Sequence, residues 1–238
     1  MIICLTGTIL PPKNIKNLKI INENVRLKDY LENILFLITK TNIKKIVFCE
    51  NSNYNSDILL FIEKLAQIYG KKFEYITFLG NSKKVVTNGR GYGEQEILNY
   101  FIDNSKLLDG ENDFYKLTGR YKVKNINEIV SLEANNKNIF VKMSPLDNRC
   151  STAFFKSNIE FFKKNFYGIG EKINDELGEN NQIEGVYRNI LLLNKGEFSN
   201  FKKLPIFEAN TGSGYKLKEN FLKDSIKNIL NILGLYKI

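Results

Sequence analysis

Acid–base chemistry in this chain must come from side chains other than histidine, because none of the 238 residues is a histidine. That absence excludes Ser-His-Asp and Cys-His mechanisms and any histidine-ligated metal. Carboxylates, tyrosines and lysines remain as proton acceptors. Two carboxylates are our candidate catalytic residues: Glu184, inside the segment IEGVYR of a predicted helix, and Asp147, which opens the polar turn DNRCST.

Each of these carboxylates also has a structural interpretation. Glu184 and Arg188 lie four residues apart, so on a helix they would be neighbours, either as an exposed ion pair or as a base held by a cation. Asp147, which is followed closely by Arg149, could cap a following helix. Asp147 could instead help to bind a metal or an acceptor hydroxyl, with Arg149 beside it.

A glycine-rich segment, Gly89-Arg90-Gly91-Tyr92-Gly93, predicts a loop at the start of a helix. Free backbone N–H groups at such a helix start can bind an anion, and Arg90 favours phosphate. A plain tight turn is the alternative. The spacing matches neither G-x-G-x-x-G nor a Walker A loop, so it does not predict a Rossmann dinucleotide site or a P-loop.

Two further segments could bind phosphate groups. Side chains alternate along a strand, so Lys116, Thr118 and Arg120 would share one face of the predicted strand FYKL and its end. Two cations and a hydroxyl would suit a diphosphate or a carboxylate, while a solvated strand end is the alternative. The later turn formed by Gly212, Ser213 and Gly214 could wrap phosphate oxygens with backbone N–H groups.

Strands and helices alternate over the first 121 residues, and this pattern predicts a parallel sheet. The predicted strands are 2–5, 45–49, 73–79 and 114–117, and the predicted helices are 27–39, 57–69 and 94–108. Each strand ends in a short polar sequence: TGT (Thr6, Gly7 and Thr8), ENS, GNS and TGR. Ligands of open α/β sheets bind beyond the carboxyl ends of the strands, so we expect these four ends to form one polar crevice. The pattern then loosens, with a strand at 139–143, a helix within 171–193 and an amphipathic helix at 217–235.

Composition narrows the class of protein. The net charge of +9 is compatible with nucleic acid, an anionic membrane surface or phosphate-bearing substrates, but the lysines are scattered, as a Lys- and Asn-rich composition alone would produce. Cys4, Cys49 and Cys150 form no CxxC pair, so they predict neither a disulfide framework nor a zinc site, and they favour a reducing cytoplasm. We find no signal peptide and no transmembrane span.

Taken in order, TGT, ENS, GRGYGEQEI, FYKLTGRYKVKNI, DNRCSTAFF, IEGVYRNIL and GSGY resemble bacterial GT-A-type glycosyltransferases of surface polysaccharide and lipopolysaccharide synthesis. The resemblance implies a nucleotide-sugar donor, a glycan or glycolipid acceptor and no nucleic acid. It also implies a cytoplasmic enzyme that contacts the inner membrane surface. By resemblance, Thr6, Gly7, Glu50 and Asn51 would lie near the nucleotide, and Glu184 would be the base of an inverting enzyme.

The expected fold is therefore α/β and GT-A-like (Rossmann-like), with a mostly parallel sheet flanked by helices and a mixed C-terminal half. We expect one domain over residues 1–238, in which 1–121 bind the nucleotide sugar and 122–238 form the acceptor side and the C-terminal helix. A non-catalytic or nucleic-acid-binding basic α/β protein is the alternative.

One departure from the family concerns the metal. The resemblance implies a divalent cation, Mg²⁺ or Mn²⁺, held by Asp-x-Asp at the end of the central strand. That position here reads Leu117-Thr118-Gly119-Arg120. We therefore assign no metal ligands and expect Lys116 and Arg120 to supply the positive charge instead.

Overall fold

A computed structural model describes residues 1–16, 18–210, 216–217 and 220–238. Its strands are β1 (Ile2–Gly7), β2 (Lys45–Glu50), β3 (Lys72–Thr77), β4 (Asp113–Thr118), β5 (Tyr121–Val123), β6 (Lys142–Ser144), β7 (Asp147–Cys150), β8 (Phe154–Asn158), β9 (Phe207–Asn210) and β10 (Lys216–Leu217). Its α-helices are α1 (Glu23–Lys40), α2 (Asp57–Ile68), α3 (Ser82–Asn88), α4 (Arg90–Asn104), α5 (Ile126–Leu132), α6 (Ile159–Asn165), α7 (Ile183–Leu193) and α8 (Phe221–Ile232).

The central sheet has five strands in the order β3-β2-β1-β4-β8. The first four are parallel to one another, and β8 joins the edge antiparallel to β4. All six residues of β1 are buried, as expected for a central strand that helices cover on both faces. The predicted α/β fold with a mostly parallel sheet is therefore confirmed.

Two apolar clusters cover the two faces of this sheet. Side chains of α1, α2 and α5, such as Ile34, Leu59 and Ile129, pack on one face. Side chains of α4, α6 and α7, such as Phe101 and Tyr187, pack on the other. The carboxyl ends of β1 to β4 lie at one edge of the sheet, beyond the two helix-covered faces. The predicted crevice should lie at that edge.

The C-terminal half is mixed, as predicted. It supplies the antiparallel strand β8, a small sheet in the order β10-β9-β5 and the hairpin of β6 and β7. The strand predicted at 139–143 is shorter than expected, because only Lys142–Ser144 form β6 and Ile139 makes isolated bridges. The predicted C-terminal helix begins later than expected, at Phe221.

The predicted glycine loop at 89–93 is wrong as a loop. Gly89 separates α3 from α4 with φ of 94°, and the residues from Arg90 onward are helical. A side chain at Gly89 would also fall 2.1 Å from an Asp175 carboxylate oxygen. The glycines therefore mark a sharp junction between two helices and do not form an open loop.

Candidate functional site

The carboxyl ends of β1 to β4 border one cleft of about 920 Å³. Each of the four predicted polar ends contributes to its lining, so the predicted crevice exists. The predicted binding or catalytic residues that line it are Thr6, Gly7, Thr8, Asn51, Gly89, Arg90, Gly91, Thr118, Arg120 and Glu184. Gly212, Ser213 and Gly214 lie outside the described residues, so the prediction for that turn stays a prediction.

The ends of β1 and β2 are tied together at the cleft wall. The Thr8 hydroxyl donates to Asn51 Oδ1 over 2.6 Å, and the Leu10 N–H donates to Ser52 Oγ over 3.0 Å. Gly7 must be a glycine here, because a Cβ would lie 2.4 Å from the Phe48 ring. This close packing brings the two strand ends into one continuous polar wall.

Glu50 does not line the cleft, contrary to the prediction from the resemblance. Its side chain is fully buried, and its carboxylate accepts from the N–H groups of Ser52 (2.9 Å) and Tyr54 (2.8 Å). It also accepts from the hydroxyls of Ser52, Tyr75 and Thr77. A carboxylate with so many internal donors shapes the segment after β2 and is not available to a nucleotide.

Lys116 is likewise buried beneath the cleft and does not line it. Its ammonium forms an ion pair with Glu94 and donates to Thr152 O (2.5 Å) and Thr118 Oγ1 (3.1 Å). Those bonds occupy all three of its N–H groups. The role of Lys116 as a diphosphate ligand stays a prediction, and the ion pair disfavours it because Glu94 already neutralises the charge.

Arg120 and Lys116 do not share a face, because β4 ends at Thr118 and the chain turns at Gly119-Arg120. Arg120 packs towards α1, where its Nη1 lies 3.6 Å from Asp29 Oδ2 and donates to Asn210 O over 3.3 Å. Arg120 does line the cleft, so the predicted cationic cluster is reduced to this one residue.

The start of α4 is capped by a carboxylate of the protein itself. Asp175 Oδ2 accepts from the Arg90 N–H over 3.0 Å. Gly91 fits closely against Ile173 and Ile183, where a Cβ would lie 3.0 Å from each side chain. The anion expected at this helix start is thus supplied by Asp175, which disfavours a phosphate at the same N–H groups.

Glu184 lies in the first turn of α7 and faces the cleft. Burial, together with the nearby charges of Glu94 and Asp175, raises its pKa from 4.5 to about 7. A hydrogen bond from its own backbone N–H and the charge of Arg149 lower the pKa only in part. A carboxylate with such a pKa accepts a proton readily near neutral pH.

Asp147 and Arg149 form a supporting pair outside the cleft. Asp147 accepts from Arg149 N, Nε and Nη2 over 2.9, 3.0 and 2.7 Å, and this contact holds the pKa of Asp147 below its usual value. Asp147 begins β7 and no helix follows it directly, so the capping interpretation is wrong. Neither residue lines the cleft, so direct substrate contact by them is not supported.

The function of this pair in the structure is to hold the start of α7. Arg149 Nη1 donates to Gln182 Oε1 over 2.5 Å, and Gln182 is the N-cap residue of α7. Arg188 does not take part, because it donates to Asn189 over 3.2 Å and lies outside the cleft. The cation near Glu184 is therefore Arg149 and not the predicted Arg188.

The cleft does not fit the divalent cation that the resemblance implies. Three of the four carboxylates among its described lining residues are already engaged, Glu94 with Lys116, Asp175 with the start of α4 and Glu176 with Lys16. Within residues 1–16, 18–210, 216–217 and 220–238, no three acidic or cysteine side chains converge as metal ligands. We therefore derive no step through a metal.

Sequence reasoning missed a polar group on α1, formed by Arg26, Asp29, Tyr30 and Asn33, all buried. A signal for it exists in the sequence. These four positions lie on the same helix face as Ile34 and Leu37, which packs against the core. Burying polar side chains there costs free energy unless they have hydrogen-bond or ionic partners, so their presence indicates a specific role. Arg26 and Tyr30 line the cleft beside Thr8.

Comparisons with known proteins give weak similarities. No protein-family model matches the sequence, and no curated protein matches it significantly. Among solved structures, a cytidylyltransferase from Leptospira borgpetersenii has 12% identity and a TM-score of 0.43, and the match covers 97% of this chain and 87% of that one. HddC from Yersinia pseudotuberculosis has 10% identity and a TM-score of 0.38, with coverage of 81% and 99%. A protein described as a nucleotide-diphospho-sugar transferase from Desulfovibrio desulfuricans has 11% identity and a TM-score of 0.44, with coverage of 84% and 80%. All three TM-scores lie below 0.5.

The raised pKa of Glu184 predicts a pH-dependent cost to folding. Its folded pKa is about 7 and its ordinary value 4.5, so the folded state holds the proton more tightly between these values. Stability is therefore lost as the pH rises from about 4.5 to about 7, and the full cost is present above pH 7. Glu184→Gln should raise the free energy of unfolding by about 1–2 kcal/mol at pH 8, less than the full shift because the side chain is partly exposed.

Thermal denaturation at two pH values measures this effect. At pH 8 the variant should melt about 2–8 °C above the wild type, and at pH 4.5 the difference should disappear. Glu176→Gln is the matched control, because Glu176 is an exposed carboxylate at the cleft rim, and it should show no such pH dependence. Equal melting temperatures of wild type and Glu184→Gln at pH 8 would contradict the raised pKa.

Proposed function

We propose that this chain transfers a sugar from a nucleotide-sugar donor to a hydroxyl acceptor in cell-surface glycan synthesis. The observation that carries the proposal is the position of Glu184. A carboxyl group with a pKa of about 7 faces the cleft that the polar ends of four strands also line. In this proposal the donor occupies the strand ends within residues 1–121, and the acceptor approaches from the side of α7.

The reaction is a single displacement with inversion at the anomeric carbon. The acceptor oxygen forms a bond to that carbon while the bond to the diphosphate oxygen breaks. The acceptor proton passes to the Glu184 carboxylate, and the nucleoside diphosphate leaves with the electron pair. Glu184 must be ionised to act, so the rate should fall as the pH drops below about 7.

The first test is release of free nucleotide. The protein is incubated with a panel of UDP-, GDP- and dTDP-sugars, with and without a lipid extract as acceptor source, and the released nucleotide is measured by mass spectrometry. At least one donor should be consumed, and the extract should increase its consumption. Absence of nucleotide release from every donor, under conditions where one of them binds, would reject sugar transfer.

We further propose that the enzyme works in the cytoplasm against the anionic inner membrane surface, and α8 supports this. Two of its asparagines face the protein: Asn228 accepts from Leu204 N (2.9 Å) and Asn231 donates to Phe201 O (2.7 Å). Leu230 packs against the core, but five apolar side chains of α8 and its C-cap face solvent, with exposed fractions of 73% at Leu222, 56% at Ile226, 56% at Ile229, 78% at Ile232 and 69% at Leu233.

This apolar face of α8, formed by Leu222, Ile226, Ile229, Ile232 and Leu233, carries lysines beside it. Lys223 and Lys237 are exposed, and Lys227 lies 3.8 Å from Asp224. An exposed apolar stripe with flanking cations is suited to the interface of an anionic bilayer. Among the helices of the described residues, none combines the length and hydrophobicity needed to cross a bilayer.

Vesicle flotation tests this contact. The wild type should float with vesicles that contain anionic lipid and much less with zwitterionic ones, and Ile226→Glu/Ile229→Glu should lose flotation while keeping its melting temperature. Phe61→Glu is the control, because Phe61 is an exposed apolar residue on α2. The opposite result is a wild type that does not bind anionic vesicles and forms a dimer, which Ile226→Glu/Ile229→Glu dissociates. That result would contradict membrane contact and assign the apolar face to a second copy of the chain.

A further inference from the structure

Arg26 is a buried arginine at the base of the cleft. Only 5% of its surface is exposed, and it is one of the residues that line the cleft. Its Nε donates to Thr8 O over 2.6 Å, its Nη1 to Ile20 O over 3.0 Å and its Nη2 to the Tyr30 hydroxyl over 3.3 Å. All three acceptors are uncharged, so they orient the guanidinium without neutralising it.

Arg120 lies close by and adds a second positive charge. Its guanidinium carbon is 6.0 Å from the centre of the Tyr30 ring, and Arg26 bonds to the hydroxyl of the same tyrosine. Asp29 is the acid of this group, and its Oδ2 lies 3.6 Å from Arg120. In the part of the chain that the structure describes, two buried guanidinium groups thus share one carboxylate.

Such a group is unbalanced in charge. Burial lowers the pKa of Arg26, and the nearby charge of Arg120 lowers it further, although Tyr30 and Asp29 offset part of this. A buried charge without a counter-charge costs several kcal/mol. The hydrogen bonds of Arg26 go to uncharged acceptors, so they do not supply the missing counter-charge.

Two N–H groups of Arg26 remain beyond its described hydrogen bonds. A guanidinium has five N–H groups, and the three described bonds leave one on each of Nη1 and Nη2. Paired N–H groups of this kind recognise phosphate oxygens bidentately. The Thr8 hydroxyl and the Asn51 amide border the same part of the cleft.

We propose that Arg26, assisted by Arg120, binds the diphosphate of a nucleotide ligand at the base of this cleft. The proposal rests on the proposed function for the nature of the ligand, and it moves the diphosphate away from Lys116 and from the start of α4. Bound there, the diphosphate neutralises the two arginines. When the bond to the sugar breaks, the same arginines stabilise the negative charge on the leaving group.

Calorimetric titration of the full chain with UDP, GDP and inorganic pyrophosphate tests the site. Arg26→Gln should weaken binding of the tightest of these probes about 10- to 100-fold, the range expected for a charged buried hydrogen bond. Arg26→Lys keeps the charge and loses the paired donors, so its affinity should be intermediate. Arg188→Gln is the matched control, because Arg188 lies outside the cleft, and it should bind as the wild type does.

A measurement on the wild type covers the case in which Arg26→Gln fails to fold. The chain has five arginines, so its arginine ¹⁵Nε–¹Hε spectrum should contain five signals. Replacing each of the other four arginines in turn identifies their signals, and the remaining signal is that of Arg26. Pyrophosphate should shift the Arg26 signal more than those of Arg90 and Arg188. An Arg26 signal that no probe moves, or affinity of Arg26→Gln within threefold of wild type, would overturn the proposal.

The outcomes separate this site from the proposed function. If pyrophosphate moves the Arg26 signal while no nucleotide sugar binds, the anion site stands and the glycosyltransferase proposal fails. If nucleotide sugars bind and react while Arg26→Gln keeps its affinity, the function stands and the assignment of Arg26 fails.

Discussion

Replacing Glu184 by glutamine is expected to reduce sugar transfer about 100- to 10,000-fold, the usual cost of losing a general base. A hydroxyl acceptor is a poor nucleophile until its proton is removed. Glu184 is the cleft carboxylate best placed for this step, because Glu94 is paired with Lys116 and Asp175 caps α4. Glutamine keeps the size of the side chain, so the affinity for the nucleotide sugar should stay within about threefold of the wild type.

Initial rates and calorimetric affinities of the same preparations measure both quantities. Glu176→Gln serves as control and should transfer sugar within a few-fold of the wild type, because Glu176 is exposed at the rim and pairs with Lys16 over 2.7 Å. The acidic limb of the rate profile, with its midpoint near pH 7, should be absent from Glu184→Gln. Transfer by Glu184→Gln within a few-fold of wild type would reject Glu184 as the base.

The ion pair of Lys116 and Glu94 should have the largest effect on stability. Glu94→Gln leaves the fully buried Lys116 ammonium without its counter-charge, so the free energy of unfolding should fall by about 3–5 kcal/mol. The double variant Glu94→Gln/Lys116→Met removes both charges and should recover most of this loss. Denaturant unfolding followed by circular dichroism measures the three proteins.

The exposed pair of Lys16 and Glu176 provides the comparison, since its side chains are 70% and 47% exposed. Glu176→Gln should change the free energy of unfolding by less than about 1 kcal/mol. Suppose instead that Glu94→Gln is as stable as the wild type and Lys116→Met loses affinity for nucleotide. Lys116 would then be the diphosphate ligand that its sequence position first indicated.

Most of the sheet could be predicted because its signals are local. The apolar runs of β1 and β2 are continuous, as buried parallel strands require, and the polar sequences at the strand ends predicted the cleft. The glycines at 89–93 misled the prediction, because glycine also allows close packing of helices. Gly91 is small so that Ile173 and Ile183 can approach α4, and no local pattern distinguishes this use from a loop.

The site was only partly predictable because distant partners decide what each charge does. Strand alternation placed Lys116 and Thr118 together, as observed, but it could not show that Glu94, on α4, would neutralise the lysine. Glu184 was found because a chain without histidine offers few bases. Arg26 was not predicted because it lies within a helix and not at a strand end, although the sequence places it on the core-facing stripe of α1.

Calorimetric titration with nucleotide sugars and with random duplex DNA, at physiological salt, tests whether the cleft binds a nucleotide sugar. The donor for this titration is chosen beforehand by thermal shift. A ligand at 100 times its dissociation constant stabilises the fold by about 2.7 kcal/mol, which raises the melting temperature measurably. We expect saturable binding of at least one nucleotide sugar, no binding of the free sugar, and only weak DNA binding that salt abolishes. Sequence-selective DNA binding that survives physiological salt, with no affinity for any nucleotide sugar, would contradict it.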